Sequence, residues 1–414
     1  MSARRTRSLR RRQLLQWSAA TACSGLIQQI PVNAMSSATH DGEPEMPGTT
    51  TLFLCGDVML GRGIDQILPH PGDPRLYEPA VQSSITYVEL AEEVSGPIPR
   101  PVDFSYVWGD ALDAVRRAAP DARIVNLETS ITRSTEAAPK GINYKISPDN
   151  AACLTAAGID CCVLANNHVL DLGERGLLDT LQSLETAGIR TAGAGRNRGQ
   201  AEAPAVLEIG GKRRVLVFAF GSETSGIPGS WAAERDAPGI NLLPDLSERT
   251  ALRIAELVQA AKRQGDVVVA SIHWGGNWGY EIPRAQREFA RLLIDRAGVD
   301  VVHGHSSHHP KGIEIYRDKP ILYGCGDFLN DYEGIAGYEE FRDDLVLMYL
   351  PTFASSTGDL VAFRLVPFQI RKFRLNRASR QDAAWLRDVL HRESRGFGAW
   401  VEANRDDMLS VQWR

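Results

Sequence analysis

From Thr50 onward, short apolar runs alternate with segments whose apolar residues recur every three or four positions. That alternation predicts βαβ units around a largely parallel, buried sheet. Six runs read as buried strands: Thr51–Cys55, Ala122–Asn126, Cys161–Ala165, Val215–Phe220, Val267–Ile272 and Val299–Val302. Five of them lead into polar residues, at Asp57, Glu128, Asn166-Asn167-His168, His273 and His303-Gly304-His305. Loops at the carboxyl ends of such strands converge over one crevice, so these side chains are expected to meet there. Past Tyr349 the pattern changes. Leu360–Val366 and Arg371–Leu375 alternate as antiparallel strands joined by a turn containing Pro367. Ala384, Trp385, Val389 and Leu390 form the apolar face of a short helix with Asp382 near its start. The expected organisation is a main domain over 48–350 and a small α+β appendage over 351–414.

Composition narrows the function classes. At 414 residues, 43% hydrophobic and 23% charged, the chain has enough apolar content for a large core. A net charge of −5 and a pI near 6.0 offer no basic field to gather phosphate backbones, so nucleic acid is not an expected partner. Six cysteines without a C-x-x-C pair do not make a disulfide scaffold, and Cys55 and Cys325 read as small buried hydrophobes. The first forty residues stand apart, with six arginines, no lysine and no acid before Asp41. Arg11-Arg12 just precedes Leu14-Leu15, and residues 13–40 carry no charged side chain. This resembles a bacterial twin-arginine export signal over residues 1–38, removed near Ala34–Ala38, and implies a periplasmic or cell-surface location. Its glutamines, serines and threonines make it too polar for a membrane span.

Six of the nine histidines (His168, His273, His303, His305, His308, His309) fall at or just after strand ends. Imidazole, carboxylate and carboxamide groups together suit one or two divalent ions such as Mn, Fe or Zn. Two ions about 3.5–4 Å apart can hold a phosphoryl oxygen between them and acidify a shared water, which is how hydrolysis obtains its nucleophile.

Gly56-Asp57-Val58-Met59-Leu60-Gly61-Arg62, Asn126-Leu127-Glu128-Thr129, Asn166-Asn167-His168-Val169-Leu170-Asp171-Leu172-Gly173, Gly193-Ala194-Gly195, His273-Trp274-Gly275 and Gly304-His305-Ser306-Ser307-His308 occur in that order. Together they resemble the CapA-type proteins of poly-γ-glutamate capsule biosynthesis, themselves similar to calcineurin-like metallophosphoesterases. Tyr323-Gly324-Cys325-Gly326-Asp327-Phe328 is similar to the closing strand and turn of that family. The resemblance implies an α-β-β-α sandwich of two stacked mixed sheets. It also implies metal ligands at Asp57, Glu128, Asn167, His273 and at His305 or His308, with His168 as the general acid facing the leaving group.

The match departs at Met59, where the superfamily carries a histidine, and at Glu128, where it carries an aspartate; both changes put one of two ion positions in doubt. His303 is also compatible with a core place in its strand, and His309 with a loop. Arg62, Asn126, Asn166 and Trp274, in or beside the same motifs, are candidates for contacting substrate, since a guanidinium grips planar anions in bidentate fashion. A proline-rich insertion over 65–108 is expected to form a lid or binding wall.

The expected function is a divalent-metal hydrolase of the phosphoesterase type linked to capsule polymer synthesis. Its substrate would be an anionic polymer or a phosphoester, with capsule-synthesis membrane proteins as partners. The alternative, which Met59 favours, is a non-catalytic assembly or polymer-binding component that keeps a metal for structure.

Overall fold

The computed structural model describes residues 48–211, 213–404 and 408–414; the export-signal segment lies outside the described residues. In chain order, the strands that build the two main sheets are β1 (Thr49–Val58), β2 (Ala122–Leu127), β3 (Cys161–Val163), β4 (Arg190–Ala192), β5 (Ala205–Ile209), β6 (Arg213–Gly221), β7 (Val267–His273) and β8 (Val301–His305). They continue with β9 (Ile313–Tyr316), β10 (Lys319–Leu322), β11 (Asp327–Leu329), β12 (Leu345–Ala354), β13 (Leu360–Arg371), β14 (Arg374–Arg377), β15 (Ala399–Ala403) and β16 (Leu409–Trp413). Among the described residues the larger sheet runs β15-β16-β13-β12-β1-β2-β3-β4, with β11 on β1 and β14 on β13. The smaller runs β9-β10-β8-β7-β6-β5. Pairing is parallel through β1-β2-β3-β4 and β6-β7-β8-β10 and antiparallel at the flanks, so both sheets are mixed.

The fully apolar strands of the smaller sheet still have two distinct faces, because side chains alternate along a strand. Val215, Val217, Val267, Val269 and Val301 pack into one core with the larger sheet. Leu216, Phe218, Phe220, Val268, Ala270, Ile272 and Val302 pack outward against helices α1 (Glu248–Ala261) and α2 (Arg284–Ala297). The larger sheet therefore stacks on the inner face of the smaller, with helices outside, as the family resemblance implies. Ser247 caps α1 by accepting from Thr250 N–H, and Gly298 ends α2 in the left-handed region, which glycine enters without a side-chain clash.

Two sequence expectations shift. The strand expected over Val299–Val302 runs instead from Val301 to His305, placing His303 and His305 inside it. Buried imidazoles are tolerated there because the neighbouring strands supply polar partners. Pro367 is not in a turn: β13 continues through it in register with Leu347, and the turn falls at Lys372-Phe373, both at positive φ. On its other edge β13 pairs β16 at Arg364–Leu365 and β14 from Phe368, so Pro367 stands in the gap where no N–H is called for. The helix expected from Ala384, Trp385, Val389 and Leu390 is Arg380–Ser394, capped by Ser379 with Asp382 at its third position. The C-terminal strands continue the larger sheet.

Candidate metal centre

The period that sorts the valines also aims the histidines. Counting by two from Val267 and Val301 along the inner face reaches Ser271, His273, His303 and His305, all buried. Trp274 falls on the opposite face, in the core beneath α2, with its indole N–H on Tyr323 O at 3.0 Å. It contributes packing and does not face the crevice.

Hydrogen bonding along this face assigns the imidazole protons. A carbonyl can only accept, so His303 Nε2 donates to Cys55 O at 2.7 Å and its Nδ1 accepts from Ser271 at 3.0 Å. The Ser271 oxygen then accepts from His305 Nε2 at 2.9 Å, which leaves a lone pair on His305 Nδ1. His273 Nε2 donates to Asn167 Oδ1 at 3.0 Å, and its Nδ1 faces the Asn126 amide N–H at 3.5 Å. The two Nδ1 atoms lie 2.8 Å apart, with Asp57 Oδ1 3.8 Å from that of His305. Two lone pairs and a carboxylate thus converge on one point, an arrangement that repels itself unless a cation sits there. His303 itself is satisfied in the core behind them.

The carboxylates make the same case. Asp57 is the penultimate residue of β1, where Gly56 lets the chain approach Gly326 so closely that a Cβ would lie 1.6 Å from its carbonyl oxygen. Asp57 accepts from Asn126 at 2.7 Å and from Ser306 N–H at 3.2 Å. Burial, then the charge of Asp327, pushes its pKa up to about 7. Glu128, just past β2, is pushed well up by burial and then by Asp57. Its Oε2 is buried without a partner, while Oε1 stands 3.7 Å from His168 Nε2 and 3.8 Å from His273 Nε2. Burial pushes His273 and His305 down, so they are neutral donors of lone pairs. Among the described residues, two groups of buried side chains have the geometry to hold a metal ion: Asp57 with His273 and His305, and Asp57 with His308 and Asp327.

His168 sits beside the first group. Its Nδ1 lies 2.6 Å from Asp171 Oδ2, which also accepts from Tyr144 N–H at 2.6 Å, and the Tyr144 ring packs edge-on at 4.4 Å. Lys140 Nζ donates to Asp171 Oδ1 at 2.8 Å and stands 3.2 Å from His168 Nδ1. Burial outweighs Asp171 and brings His168 down to about 4. With Nδ1 turned to Asp171, Nε2 is the ring atom left facing Glu128.

The remaining candidates are placed differently. Asn126 and Asn166 are buried and linked at 3.0 Å, Asn166 also donating to Leu127 O, so they brace the ligand loops from behind. Arg62 is not free to grip a substrate: Asp331 holds it in bidentate fashion, Glu78 takes a third donor at 3.1 Å, and Tyr87, Tyr144 and Tyr332 surround it. Met59 is buried, its sulfur accepting from Tyr332 at 3.6 Å. Asp327, Asp171 and Lys140 were not singled out as site residues by sequence. His168-x-x-Asp171 was a readable signal, whereas Lys140 had none.

A family model described as bacterial capsule synthesis protein PGA_cap matches residues 51–332. A probable polyglutamine synthesis accessory protein of Mycobacterium tuberculosis is 49% identical over 88% of this chain and 96% of that protein. The capsule biosynthesis protein CapA of Bacillus anthracis is 23% identical over 72% of this chain and 63% of its own length. The PGA biosynthesis protein CapA of Bacillus subtilis is 27% identical over 71% of this chain and 66% of its own.

Proposed function

Because the chain belongs to the bacterial capsule synthesis protein PGA_cap family, we propose that it is an exported accessory component of glutamate- or glutamine-polymer synthesis and works as a divalent-metal-dependent phosphoester hydrolase. The observation that carries the chemistry is the meeting of the His273 and His305 lone pairs with Asp57 beside the unpartnered Glu128 oxygen. Asp57, His273 and His305 would hold the ion, with Glu128 and Asn167 at its edge. The ion would supply Lewis acidity and an acidified water at neutral pH.

The chain's own residues supply the rest. Asn126 and Ser306 N–H fix the Asp57 carboxylate, and Ser271 fixes the His305 tautomer. Asp171 accepts from His168 Nδ1, so the lone pair on Nε2, the ring atom on the site side, would take up the proton released by the attacking water and hand it to the leaving group. Lys140 neutralises Asp171 and ties the 166–172 turn to the preceding loop. The polymer-synthesis machinery at the membrane is the proposed partner, and the Arg11-Arg12 segment the proposed route of export.

Purified protein loaded in turn with Mn2+, Zn2+ or Fe2+ and assayed on bis(4-nitrophenyl) phosphate should turn over, and His168→Ala should lower kcat by about 10²–10⁴. Bound metal with no turnover on phosphoesters or on poly-γ-glutamate would instead support the non-catalytic component, the reading that Met59 favours. Arg11→Lys together with Arg12→Lys should retain the protein inside the cell if the export reading holds; unchanged delivery would remove it.

A further inference from the structure

A cavity of about 310 Å³ that shares no lining residue with the metal centre opens beside Lys145. Lys145 and Ile146 pair in parallel with Ser130 and Ile131 as a short extended segment. Successive side chains leave an extended chain on opposite sides. Tyr144 accordingly goes to His168 and Arg62, and Lys145 goes to the cavity. His70, Gly72 and Asp73, from the start of the 65–108 insertion, form the facing wall.

Acceptors and donors around this cavity are unequally matched. Three carboxylates line it, and each already has its donors. Asp65 accepts from Ser147 N–H at 3.0 Å, from the Asn150 amide at 2.7 Å and from Gly72 N–H at 2.8 Å. Asp73 is paired with Arg75 through Nε at 2.8 Å, and Asp149 with Arg133 at 2.7 Å. The donors left over are different in kind. Among the described residues Lys145 Nζ has neither a hydrogen bond nor a carboxylate within ion-pair distance, and burial pushes its pKa down while Asp73 and Asp65 offset part of that shift. Ser147 is 5% exposed, its N–H is taken by Asp65, and its hydroxyl has no protein partner among the described residues. The His70 ring touches only the Phe104 ring, at 6.2 Å. A buried hydroxyl and a half-buried ammonium without acceptors, facing one cavity, mark the place of an acceptor that the chain itself does not provide.

We propose that this cavity binds a small monoanionic carboxylate ligand, with its carboxylate on Lys145 Nζ and the Ser147 hydroxyl and with His70 at the mouth. One unpaired ammonium matches one negative charge, whereas Asp65, Asp73 and Asp149 around it repel a second. The volume is at the small end for a ligand site, which suits a molecule the size of an amino acid. Nothing in this inference depends on the metal centre or on the hydrolase reading.

The test is calorimetric titration of the full chain, stripped with chelator so that no metal competes for carboxylate. The probes are L-glutamate, poly-γ-glutamate and inorganic phosphate, a dianion at pH 8. L-glutamate should bind saturably, at about one per chain, and phosphate more weakly. Lys145→Met, which keeps the length of the side chain and removes its charge, should weaken glutamate binding about tenfold or more, and Ser147→Ala about threefold. Bound glutamate should also slow reductive methylation of Lys145, read by peptide mass spectrometry. Poly-γ-glutamate that displaces glutamate supports the site and identifies a polymer carboxylate as its occupant; failure to displace supports it with the free amino acid as occupant. Melting curves identify a variant that fails to fold, and Ser147→Ala decides the matter if Lys145→Met does so. No saturable binding of glutamate overturns the proposal, as does binding unchanged in both variants or phosphate bound as tightly as glutamate. Any of these results would leave the hydrolase reading standing, and an inactive, metal-free protein would leave the carboxylate site standing.

Discussion

At the residue scale, the centre is a set of groups held away from their ordinary protonation states by burial and by each other. Asp57 is the simplest to test. With a folded-state pKa of about 7 against 3.8 for the free group, the folded chain binds more protons than the unfolded chain between those values. Stability of the metal-free protein from this group therefore falls as pH rises through that window and levels off above it. Asp57→Asn removes the penalty. The stripped variant should melt above stripped wild type at pH 8, and the gap should shrink as pH drops from about 7 toward 4. With saturating Mn2+ the order should reverse, because the variant loses a metal ligand. Differential scanning calorimetry at several pH values, with and without metal, reads both; a stripped variant that melts lower at pH 8 would contradict the account.

At the element scale, three segments must arrive together. Gly56 lets β1 pass against the turn before β11, and that contact brings Asp57 opposite Asp327. Gly56→Ala forces a methyl into a backbone carbonyl that cannot swing away, so its cost should exceed the roughly 1–3 kcal/mol of ordinary overpacking. Spectroscopy of bound Mn2+ should show the strands displaced even if the variant folds. Arg62 performs the second joining task. Through Glu78 and Tyr87 it ties the 65–108 insertion to Asp331, four residues past Asp327, and to Tyr144 beside His168. Arg62→Met leaves two buried carboxylates unpaired and should cost about 3–5 kcal/mol in urea unfolding. A loss under 1 kcal/mol would mean that the cage does not hold the insertion.

At the scale of the whole molecule, the site lies where two sheets share a rim, so metal and fold are coupled. A cation that binds only the folded chain adds stability by mass action, about 2.7 kcal/mol at a free concentration one hundred times its Kd. Chelation should accordingly lower the melting temperature, and Asp57→Asn should lose most of that dependence. Equal melting with and without chelator would show that the rim is satisfied without an ion. Among the described residues no helix is long and apolar enough to cross a membrane.

Much of this was legible in the chain because it is local. Apolar runs separated by helical periods dictate an α/β class, strand ends carry polar residues in a fixed order, and His273 and His305 follow from period two once their strands are recognised. Glu128 and Asn167-His168 stand out for the same reason, each lying just past a buried run. What the tertiary structure decided depends on pairing between distant segments. Asp327 acquires chemistry only because β11 lies parallel to β1 and in register with it. Arg62, a plausible anion-binding group by type, is consumed by Glu78 and Asp331, the latter 269 residues away. Trp274 turns from substrate to core by a shift of one residue along a strand. Residue type sets what a side chain can do; the register of strands far apart in the chain sets what it faces, and hence whether its charge is available or already neutralised.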